Sequence, residues 1–200
     1  MKTVVLATNN AHKASEIKTA LDFPGWEFKT LKEMGIDSEP DETATTFEGN
    51  ARIKAEAARV ASGCLAALAD DSGLEVDALG KRPGVYSARY AGEDASDADN
   101  NRKLLEELGD LPFEKRTARF VCTLVFIDED GSETVARGTI EGKIGFEERG
   151  SEGFGYDPLF FPDEFGNEIT LAQVSQDKKN SISHRGNALR KLRSLLESQS

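Results

Sequence analysis

Thr3-Val4-Val5-Leu6-Ala7-Thr8, running on into Asn9-Asn10-Ala11-His12-Lys13, is the stretch on which the reading of this chain turns. Six residues rich in β-branched side chains have the length of a buried strand, and the asparagine pair after them marks a polar turn. From Lys13 to about Asp22 the spacing of Ile17 and Leu21 places two apolar side chains on one helical face. A strand, a tight turn and a helix in that order open an α/β chain.

The pattern continues outward. Trp26 to Leu31 reads as a second strand, and the acidic, turn-rich segment from Gly35 to Thr45 as a loop ahead of a helix running from about Thr46 to Ser62. Phe47, Ala51, Ala55 and Ala58 give that helix an inward face, while Asn50 and Lys54 share a neighbouring one and can address one ligand. Leu65 to Ala69 reads as a short strand ending in Asp70-Asp71-Ser72-Gly73, which predicts two carboxylates at a strand terminus, where α/β sheets commonly hold ligands. Ser96 with Asp99 resembles a capping box opening a helix through Leu104, Leu105 and Leu108 to Gly109. Arg119 to Ile127 and Glu133 to Ile140 flank Asp128-Glu129-Asp130-Gly131, an antiparallel hairpin signal that makes the sheet mixed. Leu189, Leu192 and Leu196 mark a closing helix from about Ser183.

At 200 residues the chain fits one domain, 1–200, with a sizeable core. Apolar residues at 38% and charged residues at 30% are a soluble balance, and no run approaches the roughly 18 apolar residues of a membrane span. The apolar start is too short for a signal peptide, so the expectation is a cytoplasmic protein. Cys64 and Cys122 each lie in an apolar stretch and read as buried, reduced thiols. A formal charge of −11 without a basic stripe argues against nucleic-acid binding. A polyphosphate ligand would then need local cations and a divalent metal against the global field.

Four constellations carry chemistry. Thr8 to Lys13 puts a hydroxyl, a lysine and helix N-terminal amides together, which suits phosphate oxygens as well as it suits an ordinary capped turn. It lacks the glycine spacing of a P-loop. Asp70-Asp71 can hold a hard cation, supply a general base or cap a turn; neighbouring acids on extended backbone face opposite ways, so the two do not share one task. Ser72 has no histidine or lysine near it in sequence to activate it, which makes it a ligand-contacting hydroxyl rather than a nucleophile. Gly153-Phe154-Gly155-Tyr156-Asp157-Pro158 combines backbone freedom with aromatic faces for a planar base, and Lys178-Lys179 with Ser183-His184-Arg185 adds cations and donors. His12 and His184 are too few for a zinc site.

Taken together, Ala7-Thr8-Asn9-Asn10 with Lys13 and Glu16, Thr46-Phe47 with Asn50-Ala51 and Lys54-Ala55, Ala69-Asp70-Asp71-Ser72-Gly73-Leu74 with Val76-Asp77, Pro83-Gly84-Val85-Tyr86-Ser87-Ala88-Arg89-Tyr90, Gly153 to Pro158 and Ser183-His184-Arg185-Gly186 resemble the inosine triphosphate pyrophosphatase family over essentially the whole chain. The resemblance implies an elongated α/β fold of two lobes around a long mixed β-sheet with flanking helices, a substrate cleft between the lobes, and a homodimer. It implies a magnesium-dependent hydrolase that converts ITP, dITP and XTP to the monophosphate and pyrophosphate, removing deaminated purines from the nucleotide pool.

By the same resemblance, Thr8, Asn9, Asn10, Ala11, His12 and Lys13 cradle the triphosphate together with Asn50 and Lys54. Asp71 is the proton acceptor and, with Glu42, the metal-linked acid, and Ser72 touches substrate. Phe154, Gly155, Tyr156, Asp157, Lys179, His184 and Arg185 form the nucleobase pocket. One position departs from the pattern: an acid commonly precedes the asparagine matched by Asn50, and here Gly49 stands there beside Glu48. Two other readings compete, a related septum-inhibitor-type pyrophosphatase acting on pyrimidine nucleotides and a nucleotide sensor without turnover.

Overall fold

A computed structural model describes residues 1–8 and 10–198, with the side chains of His12, Gln176, Asp177 and Asn180 outside the description. Six strands are ordered β2-β1-β3-β4-β5-β6, from β1 (Lys2–Leu6), β2 (Trp26–Thr30), β3 (Ala66–Val76), β4 (Thr117–Ile127), β5 (Glu133–Ile144) and β6 (Phe160–Pro162). β1 pairs in parallel with β2 and β3, and β5 antiparallel with β6, so the sheet is mixed. The neighbours β4 and β5 are joined by the turn in which Asp128 N–H donates to Ser132 O at 2.9 Å, a link too short for a parallel crossover. The five α-helices among the described residues are α1 (Ala11–Ala20), α2 (Phe47–Ala61), α3 (Asp97–Leu108), α4 (Gln176–Ile182) and α5 (His184–Glu197). None of the described helices is long and apolar enough to cross a membrane.

The chain divides into two compact units: Met1–Asp71 with Cys122–Gly138 and Arg185–Ser200, and Ser72–Val121 with Thr139–His184. In the first unit the strands are covered on both faces, and strand alternation sorts the side chains. Val4, Leu6, Ala66 and Leu68 pack with Ile17 and Leu21 of α1 and Leu189 and Leu192 of α5. Val5, Ala7, Ala67 and Ala69 pack instead with Ala51, Ala55 and Ala58 of α2. Small alanines on both partners bring α2 close to the strands. The second unit has its own core, in which Leu104 and Leu108 of α3 meet Leu74, Val76, Ile140 and Phe160.

Two expectations are corrected here. The strand read as Leu65 to Ala69 does not stop at the aspartates: β3 runs from Ala66 to Val76, so Asp70-Asp71-Ser72-Gly73 lies inside a strand and not at its end. Extended backbone accommodates these residues because cationic partners from the flanking helices take the place of the apolar neighbours that the periodicity would demand. Cys64 is exposed rather than buried, since Gly63 and Cys64 form a left-handed turn after α2 with φ of 74° and 68°; Cys122 is buried, and both are free thiols.

The strand read as Glu133 to Ile140 runs on to Ile144, and the remaining assignments hold within a residue or two. Thr46 caps α2, its side chain accepting from Gly49 N–H, and Ser96 with Asp99 forms the capping box of α3. The helix α4, which contains Lys178 and Lys179, is an addition to the sequence reading.

Candidate functional site

The alternation that sorts the core of the first unit also separates its two aspartates. Asp70 continues the row of Ala66 and Leu68 toward α1 and α5, and Asp71 the row of Ala67 and Ala69 toward α2. Accordingly Asp70 Oδ2 lies 2.9 Å from Lys13 Nζ of α1 and 3.5 Å from Arg185 Nε of α5. Asp71 Oδ1 lies 3.4 Å from Lys54 Nζ, and its Oδ2 accepts from Asn50 Nδ2 at 3.3 Å, both from α2.

Their electrostatics diverge for the same reason. Burial acts to raise the pKa of Asp70, but the charges of Lys13 and Arg185 and the hydrogen bond from Lys13 hold it well below the usual carboxylate range. Asp71 goes the other way: burial raises its pKa, Glu42 adds to the rise, and Lys54 and Asn50 offset it only in part. Lys54 is held charged, because Asp71, Glu42 and Asp70 outweigh the effect of its burial. One of the adjacent acids is thus a fixed anion, and its neighbour is the readier to take up a proton.

A cavity of about 410 Å³ in this unit is lined by Thr8, Asn10, Lys13, Glu42, Lys54 and Asp70, joined by Ser38, Glu39 and Pro40 of the acidic loop. Two ammonium groups therefore face one space. Asn10 begins α1 by accepting from Lys13 N–H at 3.1 Å, and Thr8 Oγ1 accepts from Asn10 N–H at 3.2 Å, so the turn before α1 is a capped one at the edge of this cavity. Ala11 is exposed in the first turn. Asn9 and the His12 side chain lie outside the described residues.

Glu42 and Asp71 both meet Lys54, at 3.2 and 3.4 Å, so one cationic group already rests between these two carboxylates. That donor set fits magnesium, which takes one or two carboxylates and completes its shell with water and substrate phosphate. Among the described residues no larger metal-binding group of His, Cys, Asp or Glu forms. Gly49 does not leave a vacancy to be filled: a Cβ there would lie 2.5 Å from Ala44 Cβ and 3.0 Å from Thr46 Oγ1, so the loop packs where a side chain would begin. Glu48 does not replace the missing acid, since it bonds Arg52 at 2.7 Å on the surface.

Two residues expected at the ligand have protein partners here. Asn50 is fully buried, and its amide links Ala44 N–H, at 3.0 Å, to Asp71, which makes it a support for the acid rather than an open ligand contact. Arg185, placed with the nucleobase pocket by resemblance, lies in the first unit, paired with Glu16 at 2.8 Å and with Asp70. Its long side chain reaches back from the first turn of α5 to the α1 face of the strands. Glu16 is a residue whose part the sequence reading missed, marked only by its place in a family motif; Asp70 was singled out as one of two adjacent acids, but its pairing with Lys13 and Arg185 was not foreseen.

In the second unit the loop from Gly153 to Asp157 is tightly determined. Phe154 is 71% exposed and Lys179 Nζ sits 4.7 Å from its ring centroid, while Lys179 also pairs with Asp157. Asp157 accepts from Phe154 N–H at 2.9 Å, and a Cβ on Gly153 would meet its Oδ2 at 2.2 Å, so only glycine closes this turn. Asp97 and Asn101, one turn apart on α3, grip Gly155 from both sides: Asp97 Oδ2 accepts its N–H at 2.7 Å and Asn101 Nδ2 donates to its carbonyl at 3.1 Å. Tyr156 is not an open stacking face. Its ring is buried and its hydroxyl donates to Ser87 O at 2.8 Å. His184 stacks on Phe120, centroids 5.3 Å apart, and Ser72 is half-buried in β3.

The model of the Ham1 family matches residues 4–195. A dITP/XTP pyrophosphatase of Exiguobacterium sibiricum is 49% identical over 193 residues, 96% of either chain, and one of Bacillus subtilis is 48% identical over 198 residues, 98% of either chain. The solved structure of the Staphylococcus aureus Ham1 protein aligns with a TM-score of 0.91 at 42% identity and covers 100% of both chains. With a matching family model over nearly its full length and relatives of this identity, the chain belongs to the Ham1 family.

Proposed function

We propose that this protein is a magnesium-dependent pyrophosphatase that hydrolyses dITP, ITP and XTP to the nucleoside monophosphate and pyrophosphate, clearing deaminated purines before they enter DNA or RNA. The observation that carries the proposal is the cavity onto which Lys13 and Lys54 both open beside Glu42 and Asp70, with Asp71 held against Lys54. On a chain of net charge −11 such a pair of ammonium groups is a local exception that suits a polyphosphate.

Water attacks the α-phosphorus in line, Asp71 accepts its proton, and the bond to the bridging oxygen breaks as pyrophosphate leaves. The raised pKa of Asp71 suits it to this role better than Asp70, whose carboxyl Lys13 and Arg185 hold well below the usual range. Lys13 and Lys54 stabilise the charge that grows on the departing phosphates. Magnesium held by Glu42 and Asp71 would add electrostatic screening of the phosphates. Asn50 keeps the Asp71 carboxylate in place.

Phe154 offers an exposed face to a purine, and Lys179, with His184 or backbone amides, supplies donors to a 6-oxo group; adenine presents a donor of its own there. On the family resemblance we read the enzyme as a cytoplasmic homodimer that acts on small nucleotides and binds neither nucleic acid nor membrane. The test is a product assay with magnesium across natural and deaminated triphosphates. Inosine monophosphate and pyrophosphate are the expected products; release of single phosphates overturns attack at the α-phosphorus, turnover confined to pyrimidine nucleotides supports the septum-inhibitor type, and binding without turnover supports the sensor.

A further inference from the structure

We propose that Lys54 is a placeholder for the metal: its ammonium group bridges Glu42 and Asp71 until a divalent cation takes over those carboxylates, and only then swings to the phosphates of a ligand. The inference rests on the reading of the cavity as a magnesium-assisted polyphosphate site. Glu42 comes from the acidic loop, Asp71 from β3 and Lys54 from α2, and Lys54 Nζ stands 3.2 Å from Glu42 Oε1 and 3.4 Å from Asp71 Oδ1. Both contacts are long. A charge-assisted N–H···O bond settles at about 2.7–2.9 Å, as Lys13 does on Asp70 at 2.9 Å. Lys54 is therefore stretched between two acids and closed onto neither, where it screens their like charges from each other.

Three features let the lysine yield. Asp71 is fixed independently of it, since Asn50 Nδ2 donates to Oδ2 at 3.3 Å while Oδ1 is the oxygen that meets Lys54. The acid stays when the amine goes. Lys54 lines the cavity, so its flexible four-carbon stem can turn there without any shift of α2. Asp70 attracts the same ammonium group, so Lys54 keeps an anion near it on leaving. A divalent cation brings two charges where the lysine brings one, which satisfies both carboxylates and repels the amine. Metal and polyphosphate then favour each other's binding through Lys54, over and above any oxygen they share.

The probes are manganese alone, followed by electron paramagnetic resonance, and inorganic tripolyphosphate, which has no base, followed by calorimetry with magnesium or with EDTA. K54M should bind manganese alone about fivefold more tightly than wild type, the scale of one modest ion pair no longer in the way. The gain should persist at about 0.3 M salt, where the field of a remote charge is screened. K54R, which retains the charge, should show no gain. With magnesium, K54M should bind tripolyphosphate about tenfold more weakly than wild type, the loss of a charge-assisted contact; with EDTA the two should bind alike. Manganese bound no more tightly by K54M, a gain abolished by salt or shared by K54R, or an equal loss of tripolyphosphate binding with and without magnesium overturns the proposal. Should K54M not fold, lysine-labelled wild type decides: magnesium alone should shift the side-chain resonance of Lys54, assigned by its absence from K54R, and an unmoved resonance sinks the idea. Failure of the hydrolase reading shows separately, as absence of inosine monophosphate from wild type, and leaves these titrations interpretable.

Discussion

Asp70 and Asp71 are consecutive in β3 yet belong to opposite faces of its sheet, the first bound to Lys13 and the second to Lys54. One step of strand alternation therefore divides a Coulombic anchor from the acid we propose as proton acceptor, without the backbone departing from extended geometry.

The two acids should fail differently. Asp71→Asn should cut pyrophosphate release by about 10²–10⁴-fold with a melting temperature near that of wild type, because a general base contributes on that scale and Lys54 keeps Glu42. Asp70→Asn removes the buried anion that pairs with Lys13 and with the buried Arg185 and should destabilise the fold by about 3 kcal/mol or more. Paired calorimetry and product assays decide; equal melting temperatures for the two variants would contradict the division of roles.

Gly49→Ala tests whether the loop before α2 excludes a side chain. Alanine in a helix normally gains about 1 kcal/mol over glycine. Here the contact of 2.5 Å with Ala44 predicts a net loss, since overpacking costs about 1–3 kcal/mol. A urea midpoint below that of wild type is the expected result, and a gain would show that the loop yields freely.

Asp97→Ala releases one side of the grip on Gly155. A hydrogen bond to a charged acceptor contributes about 1.5–3 kcal/mol, so KM for inosine triphosphate should rise about tenfold. Tripolyphosphate, having no base, should bind as before. Phe154→Ala serves as the control for base binding itself: if it leaves KM unchanged, the loop is not the base platform.

Glu33 supplies a pH-dependent contribution. Thr30 N–H and then Lys18 hold its carboxyl down to about 2 from 4.5. A depressed folded-state value means stabilisation in full above the unfolded pKa and lost as the pH falls through the folded one. The difference in urea midpoint between wild type and Glu33→Gln should therefore be greatest near neutrality and shrink between about pH 4.5 and about pH 2. A difference independent of pH would mean that the charge is not what Glu33 contributes.

Periodicity placed five of the strands and four of the helices in order and left out β6 and α4. The Val4–Leu6 run, the alanine face of α2, the capping box at Ser96 and the turn at Asp128 are all local signals with short-range causes. Residue type and spacing likewise placed Lys13, Lys54 and the aspartate pair among the candidates, and the family resemblance added Glu42. What no local pattern contains is which distant cation meets which acid. The continuation of β3 through two aspartates depends on Lys13, Arg185 and Lys54 arriving from three separate helices, 57, 115 and 17 residues away in the chain. The lodging of Arg185 against Glu16, the crowding that excludes a side chain at Gly49 and the clamp of α3 on Gly155 are packing relations between segments remote in sequence. Tertiary structure decides these because burial turns weak solvent-screened charges into specific partnerships, and burial is a property of the assembled fold.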